Sequence, residues 1–223
     1  MGRQSKSSRR ARKFLVRASV VLLLVVLIAG FRLVEEIGPE KKPGDRYIVA
    51  RIIDGDTMEL MGGDRVRLLG IDTPEEGEPY YDVAKHFLDS LTLGKPLRIE
   101  FAGRRRDRYG RLLGYAYVDS MFVNKAILDN GLGYLYLFKD NDLAAPEIRG
   151  LMAAQTSAIN GNRGIWSIAH DPEDRYLAVP GSFRFHRPGC RSIQDPNDDR
   201  YIVFRTREEA LLKGLSPCRN CKP

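Results

Sequence analysis

Three short stretches of the sequence carry side chains that can do chemistry. Asp54-Gly55-Asp56-Thr57 sets two carboxylates around a glycine. Arg67-Leu68-Leu69-Gly70-Ile71-Asp72-Thr73-Pro74-Glu75 holds a guanidinium, two carboxylates and a threonine restrained by the proline after it. Arg104-Arg105-Arg106-Asp107-Arg108-Tyr109-Gly110-Arg111 is an arginine-rich run. Each alone has an ordinary reading: a hairpin turn, a helix start with Thr as cap and Pro in first position, and a solvated loop. Together they supply the parts of a phosphodiesterase site. Asp56 and Asp72 offer hard oxygen ligands for a divalent cation such as Ca²⁺. Pro74 pushes Thr73 into an extended conformation that could turn its carbonyl to the same ion. Glu75 is suited to hold or deprotonate a water. Arg67 and Arg111 can fork onto phosphate oxygens, which lysine cannot. Hydrolysis adds negative charge to those oxygens, and a cation with two guanidiniums stabilises that state selectively.

The elements that must position these groups are short and strand-rich. Tyr47–Ile53, Thr57–Met61 and Val66–Ile71 read as a three-stranded meander, with turns at Asp54-Gly55 and Gly62-Gly63-Asp64. Glu78–Leu91 reads as a helix, with Val83, Phe87, Leu88 and Leu91 at helical spacing. Leu97–Phe101 and Leu112–Val118 are two further strands, and Asn124–Asn130 and Pro146–Asn160 two further helices. Five strands with a helix between the third and fourth are compatible with a closed barrel of the OB type, although composition alone does not choose it over another α+β fold. One parity problem arises. Arg67 and Asp72, five apart, face opposite sides of an unbroken strand. They can meet only if the strand ends or bulges between them, and Gly70 is the candidate place.

Residues Tyr47 to Trp166 resemble the staphylococcal nuclease (thermonuclease) family. The resemblance is carried by Ile53-Asp54-Gly55-Asp56-Thr57, Arg67-Leu68-Leu69, Asp72-Thr73-Pro74-Glu75 and Asp107-Arg108-Tyr109-Gly110-Arg111, followed by Val123-Asn124, Gly131-Leu132 and Gly164-Ile165-Trp166-Ser167, in that order. It implies an α+β fold, a five-stranded OB-fold barrel with three helices, and Ca²⁺-dependent hydrolysis of DNA or RNA. Asp56, Asp72 and the Thr73 carbonyl would bind the calcium. Glu75 would be the general base or position the water, and Arg67 and Arg111 would clamp the phosphate. Arg108, Tyr109, Tyr134 and Tyr136 would contact substrate, the two later tyrosines having simple packing as their alternative. Arg104–Arg106 would flank the groove, and Asp54 would support the cation from behind. Glu75, Arg67 and Arg111 are each expected to be removable with turnover lost and the fold kept.

The tail carries a second constellation. His186-x-x-x-Cys190 is followed, 27 residues later, by Cys218-x-x-Cys221, and these are all three cysteines of the chain. One His and three Cys make a complete tetrahedral zinc set, and Cys-x-x-Cys is metal-ligand spacing. Metal binding would also let some 40 residues fold around little core. A disulfide is the alternative, but it accounts for neither His186 nor the odd cysteine. The tail is also similar to the small zinc-binding module of the bacterial adaptive-response (Ada-type) methyltransferase. Shared are Phe185-His186-x-x-x-Cys190, Thr206-Arg207-Glu208-Glu209-Ala210, Gly214 and Pro217-Cys218-x-x-Cys221-x-Pro223. With His186 in one ligand position, a structural zinc is expected. Arg184, Arg187, Arg191, Arg205, Arg207 and Arg219 could touch nucleic acid or form an ordinary surface. His86 reads as a packing or solvent-facing residue, and His170 lies in a polar linker.

Charge and hydropathy describe the N-terminus. The net charge of +7 comes from residues 1–17, which hold seven of the 36 basic side chains and none of the 29 acidic ones. The remaining 29 basic groups balance the acids, so global basicity says nothing about substrate. Residues 14–31 are apolar but for Arg17 and Ser19 and contain the run VVLLLVVLIA. Poor cleavage positions near Ala29 and Gly30 favour an uncleaved membrane anchor over a removed signal peptide. Residues 1–13 would then stay in the cytosol and the rest outside it.

The expected organisation is therefore a basic segment with a membrane-spanning helix (1–34), a linker (35–46), the nuclease-like barrel (47–168), a second linker (169–182) and a zinc module (183–223). The expected partners are DNA or RNA and, through residues 14–31, the membrane. The rival is a non-catalytic module that only binds nucleic acid. Such a module would be expected to have lost the acids and arginines retained here.

Overall fold

The structure, a computed structural model, describes residues 46–223 and the single position Val26. The apolar run 14–31, read as an anchor, thus falls outside the described residues apart from Val26. Among those described, no helix is long and apolar enough to cross a membrane.

Alternating burial builds a barrel. Strand β1 (Arg46–Ile52) pairs antiparallel with β2 (Thr57–Leu60), and β2 with β3 (Arg65–Leu68). Val66 and Leu68 are buried in the core while Arg65 faces solvent, the two-residue period of a half-buried strand. After the two-residue strand β4 (Ile71–Asp72) and helix α1 (Tyr81–Thr92), β5 (Pro96–Glu100) pairs with the other edge of β1. Strand β6 (Leu112–Val118) pairs antiparallel with β5 and then parallel with β3, through Val66↔Leu112, Arg67↔Leu113 and Leu68↔Gly114. That pairing closes five strands into the expected OB-type barrel, leaving no free edge among them. A short strand β7 (Met121–Phe122) extends the sheet from β6.

Helices cover the barrel's open end. Helix α1 buries Ala84, Leu88 and Thr92. It starts three residues later than the periodicity predicts, because Pro79 and Tyr80 (φ +69°) belong to a turn. Helix α2 (Val123–Asp129) carries buried Asn124, whose Oδ1 accepts from the Ala116 N–H at 2.9 Å and whose Nδ2 donates to the Leu69 carbonyl at 2.8 Å. One side chain thereby ties β6 to the segment leaving β3. Strand β8 (Tyr134–Leu135) pairs with β4, and α3 (Pro146–Asn160) is followed by a 3₁₀ turn at Gly164–Ser167.

The second expected linker is corrected by the structure. Within it, Tyr176–Ala178 forms strand β9, all three residues buried. It is a central strand of a four-stranded sheet, ordered β11 (Ile202–Phe204), β9, β10 (Arg184–His186), β12 (Ser216–Pro217). Three residues are too few to show periodicity, so the polar flanks hid them. The tail also packs on the barrel. Gln155 of α3 accepts from the Leu135 N–H at 2.7 Å and donates to Leu211 of helix α4 (Arg207–Leu212) at 3.1 Å. Ser216 donates to the Leu135 carbonyl at 2.6 Å. Residues Gly44–Pro223 accordingly form one compact unit.

Gln155 is buried. Its replacement by Leu strands a backbone donor on one side and a carbonyl on the other. We expect Gln155→Leu to cost about 2–4 kcal/mol, read as a lowered urea midpoint with unchanged slope.

Candidate active site

The acidic pair is assembled from two strand ends. Asp56 enters β2 after a turn in which its N–H donates to Asp54 Oδ1 at 3.0 Å. Gly55 is required there by close approach. A Cβ on it would lie 2.7 Å from both the Ala84 Cβ and the Thr73 Oγ1. Asp56 is fully inside the protein, accepting from the Thr57 hydroxyl at 3.0 Å and from the Thr73 N–H at 3.1 Å. Asp72 lies on β4, beside Tyr134 of β8.

The parity problem is resolved at Gly70. Strand β3 ends at Leu68, Gly70 takes φ +74°, and the chain resumes as β4 at Ile71. This break lets Arg67 and Asp72 face one spot. Arg67 Nη2 is 2.9 Å from Asp56 Oδ2 and 3.0 Å from Asp72 Oδ1, so both carboxylates share one nitrogen. Arg67 Nη1 donates to the carbonyls of Leu68 at 2.6 Å and Ile71 at 2.8 Å, on either side of the break. Arg67 thus makes three hydrogen bonds, to Asp72 and the two carbonyls, and an ion pair with Asp56, with Nε outside all four contacts. Burial pushes both carboxyls above the usual carboxylate range, against the charge of Arg67 and, for Asp72, also a hydrogen bond from Arg219. Two acids that dear to ionise in a shared place are a fitting donor set for a divalent cation.

Glu75 stands apart, its side chain 68% exposed, on the turn that closes when the Glu78 N–H donates to the Glu75 carbonyl at 2.9 Å. Arg111 stands on the loop just before β6, two residues ahead of Leu113, which pairs with Arg67. Arg111 Nε is held 2.8 Å from Asp107 Oδ2. Burial raises the Asp107 carboxyl, but the hydrogen bonds from Arg111 prevail and leave it below its ordinary value. Arg108 and the 67%-exposed Tyr109 lie side by side on the same loop, Arg108 Nη2 donating to the Tyr109 hydroxyl at 2.6 Å. Arg106 is engaged by Asp64 at 3.0 Å, and the Arg105 guanidinium lies 4.6 Å from the Phe101 ring centre.

Both expected substrate tyrosines meet the tail. Tyr134 is largely buried, its hydroxyl accepting from Arg207 at 3.1 Å and its ring edge-on to Trp166 at 5.3 Å. The Arg184 guanidinium lies 3.5 Å from the ring centre of Tyr136. The sequence reading leaves the tail arginines, Arg219 among them, to nucleic acid or an ordinary surface, and does not find the contact of Arg219 with Asp72. Its Nε donates to Asp72 Oδ2 at 3.1 Å. Nothing in its sequence neighbourhood marks it, apart from its standing inside Cys218-x-x-Cys221. A cavity of about 620 Å³ opens beside these groups, between the Asp72–Pro79 segment and the tail, lined also by His170. His86 Nδ1 donates to the Asp82 carbonyl, 2.7 Å away, within its own helix.

The tail residues expected to hold zinc do come together. Parallel pairing of β10 with β12 (Arg184↔Ser216, Phe185↔Pro217) makes both strands end at one place, delivering His186 beside Cys218. One ligand atom from each of His186, Cys190, Cys218 and Cys221 lies within 4.8 Å of the others, and all three cysteines are free thiols. The buried His186 Nδ1 has no hydrogen-bond partner. Backbone N–H groups of Arg187 and Ser192 point at the Cys221 and Cys190 sulfurs at 3.4 and 3.5 Å. Burial pushes the Cys221 thiol up to about 12. An orphaned imidazole nitrogen among three converging sulfurs fits a tetrahedral metal.

The sequence reading treats Arg67 as removable without harm to the fold, and the geometry argues otherwise. Its side chain is 13% exposed, and the carboxylates of buried Asp56 and half-buried Asp72 both pair with it. We expect Arg67→Ala to cost about 3–5 kcal/mol in denaturant unfolding. Arg111→Ala, which breaks a half-exposed pair, should cost under about 1 kcal/mol.

Comparison with known proteins agrees with the site. Residues 65–168 match the family described as staphylococcal nuclease homologue. An uncharacterized endonuclease of Escherichia coli is 36% identical over 128 residues, covering 56% of this chain and 78% of the relative. The thermonuclease of Staphylococcus intermedius is 31% identical over 137 residues, covering 55% of this chain and 82% of the relative. Endonuclease YncB of Bacillus subtilis is 36% identical over 129 residues, covering 52% and 59% respectively. With that likeness covering 78% and 82% of two nuclease relatives at 36% and 31% identity, the chain belongs to the staphylococcal nuclease family and is a nuclease.

Proposed function

We propose that this nuclease hydrolyses internal phosphodiester bonds of DNA or RNA with calcium held by Asp56, Asp72 and the Thr73 carbonyl. The observation that carries the reading is the shared nitrogen. Carboxylates from two separate strand ends lie 2.9 and 3.0 Å from Arg67 Nη2, within reach of one ion. Calcium bound there would polarise the phosphoryl group and offset its growing charge. Glu75, on the exposed rim, takes the proton of the attacking water. Arg111 turns from Asp107 to the phosphate oxygens, and Arg67 keeps the carboxylates aligned while offering Nε. Arg108 and Tyr109 track the backbone of the bound strand.

We further infer that His186, Cys190, Cys218 and Cys221 bind a structural zinc, supported by the orphaned His186 nitrogen and the three converging thiols. Residues 14–31 are read as a membrane anchor that holds the nuclease on the non-cytoplasmic side, a reading supported by the apolar run and the basic flank before it.

Plasmid cleavage is expected to require calcium and to stop with a chelator. Glu75→Gln and Arg111→Ala should each lower kcat by roughly 10²-fold or more with the fold kept. Parental rates in both would contradict the assigned roles. Elemental analysis of the purified full chain should find about one zinc per molecule, lost in Cys218→Ser. A chain folded and free of zinc would refute the metal assignment.

A further inference from the structure

The turn between Cys218 and Cys221 reaches into the nuclease site. Arg219 donates through Nε to Asp72 Oδ2 at 3.1 Å and through Nη2 to Asp72 Oδ1. The same Nη2 stands 3.8 Å from Glu75 Oε1. Lys222, one residue past the turn, donates to Glu78 Oε1. The tail thus sets two cations on the acidic segment that follows β4.

Asp72 is left with little spare capacity. Its carboxylate accepts twice from Arg219 and once from Arg67, of the about four bonds its oxygens can take. A divalent cation on Asp72 needs an oxygen lone pair there and repels a guanidinium beside it. The same carboxylate cannot serve both in this arrangement. The backbone of the turn is fixed: the Cys218 N–H donates to the Phe185 carbonyl at 3.0 Å, and the Lys222 N–H to the Cys218 carbonyl at 2.9 Å. The Arg219 side chain, 55% exposed, has room to swing aside.

We propose that Arg219 is a positioning residue of the nuclease site, held by the Cys/His cluster on the carboxylate that the cation must occupy, so that the tail sets how much calcium the enzyme needs. The proposal rests on the reading that Asp56 and Asp72 hold the catalytic calcium. Arg219 neutralises Asp72 before the cation arrives and gives up the fork when it binds. A chain without this guanidinium fills its cation site at lower calcium.

The test is calorimetric titration of calcium alone into the full chain. Arg219→Ala should bind calcium on the order of tenfold more tightly than the parent. Its half-maximal calcium for plasmid cleavage should fall by a similar factor. Arg219→Lys, which keeps the charge and loses the fork, should fall between them. Cys190→Ser cuts the cluster without changing the turn's own sequence and should tighten calcium binding in the same direction. Unchanged or weaker binding in Arg219→Ala overturns the proposal. Tightening there with none in Cys190→Ser overturns the part given to the cluster. If Asp56→Asn binds calcium as the parent does, the reading of the cation site is what fails, whatever Arg219→Ala does.

Discussion

A buried carboxylate, Asp56, and a half-buried one, Asp72, meet at two strand ends, and one guanidinium makes that tolerable. Asp56 and Asp72 would each be costly to ionise alone in that position. Arg67 lies between them and also caps the two carbonyls at the strand break. The chain around it follows from this constraint. Gly70 must turn left-handed so that Asp72 comes round to Arg67, Gly55 must lack a side chain so that the Asp56 turn can sit against Thr73, and Asn124 pins the departing strand from the far side. Under the proposed function, a cation on Asp56 and Asp72 would meet acids that are already brought together and desolvated.

The rest of the machinery is kept outside that buried knot. Glu75 sits on an exposed turn, and Arg111 is held by Asp107 on a loop. In the proposed mechanism, groups that exchange protons or grip a moving phosphate need freedom, whereas groups that fix a cation need burial. The parallel pairing of β3 with β6 sets Arg67 opposite Leu113, with Arg111 on the loop just before β6 and in a more exposed environment.

Much of this was legible in the residues. The five strands, the order of the helices, the acidic and arginine set and the break at Gly70 all follow from period, turn chemistry and a parity argument. The four tail residues that come together, His186, Cys190, Cys218 and Cys221, were readable from spacing, because Cys-x-x-Cys and His-x-x-x-Cys have a local signature. What stayed hidden was long-range. Strand β9 is only three residues long, Tyr134 is covered by Arg207, and Arg219 meets Asp72 across 147 positions of sequence. No local pattern announces such pairings. They depend on Gln155 and Ser216 docking the tail onto β8 and on how two strands of the tail sheet happen to end.

The account turns on one cation bridging two strand ends, and a crystal structure of the full chain with calcium tests it most directly. An ion within about 2.3–2.6 Å of oxygens from both Asp56 and Asp72 is the expected result. Active crystals in which saturating calcium binds elsewhere, with Asp56 and Asp72 still closed on Arg67 alone, would contradict it.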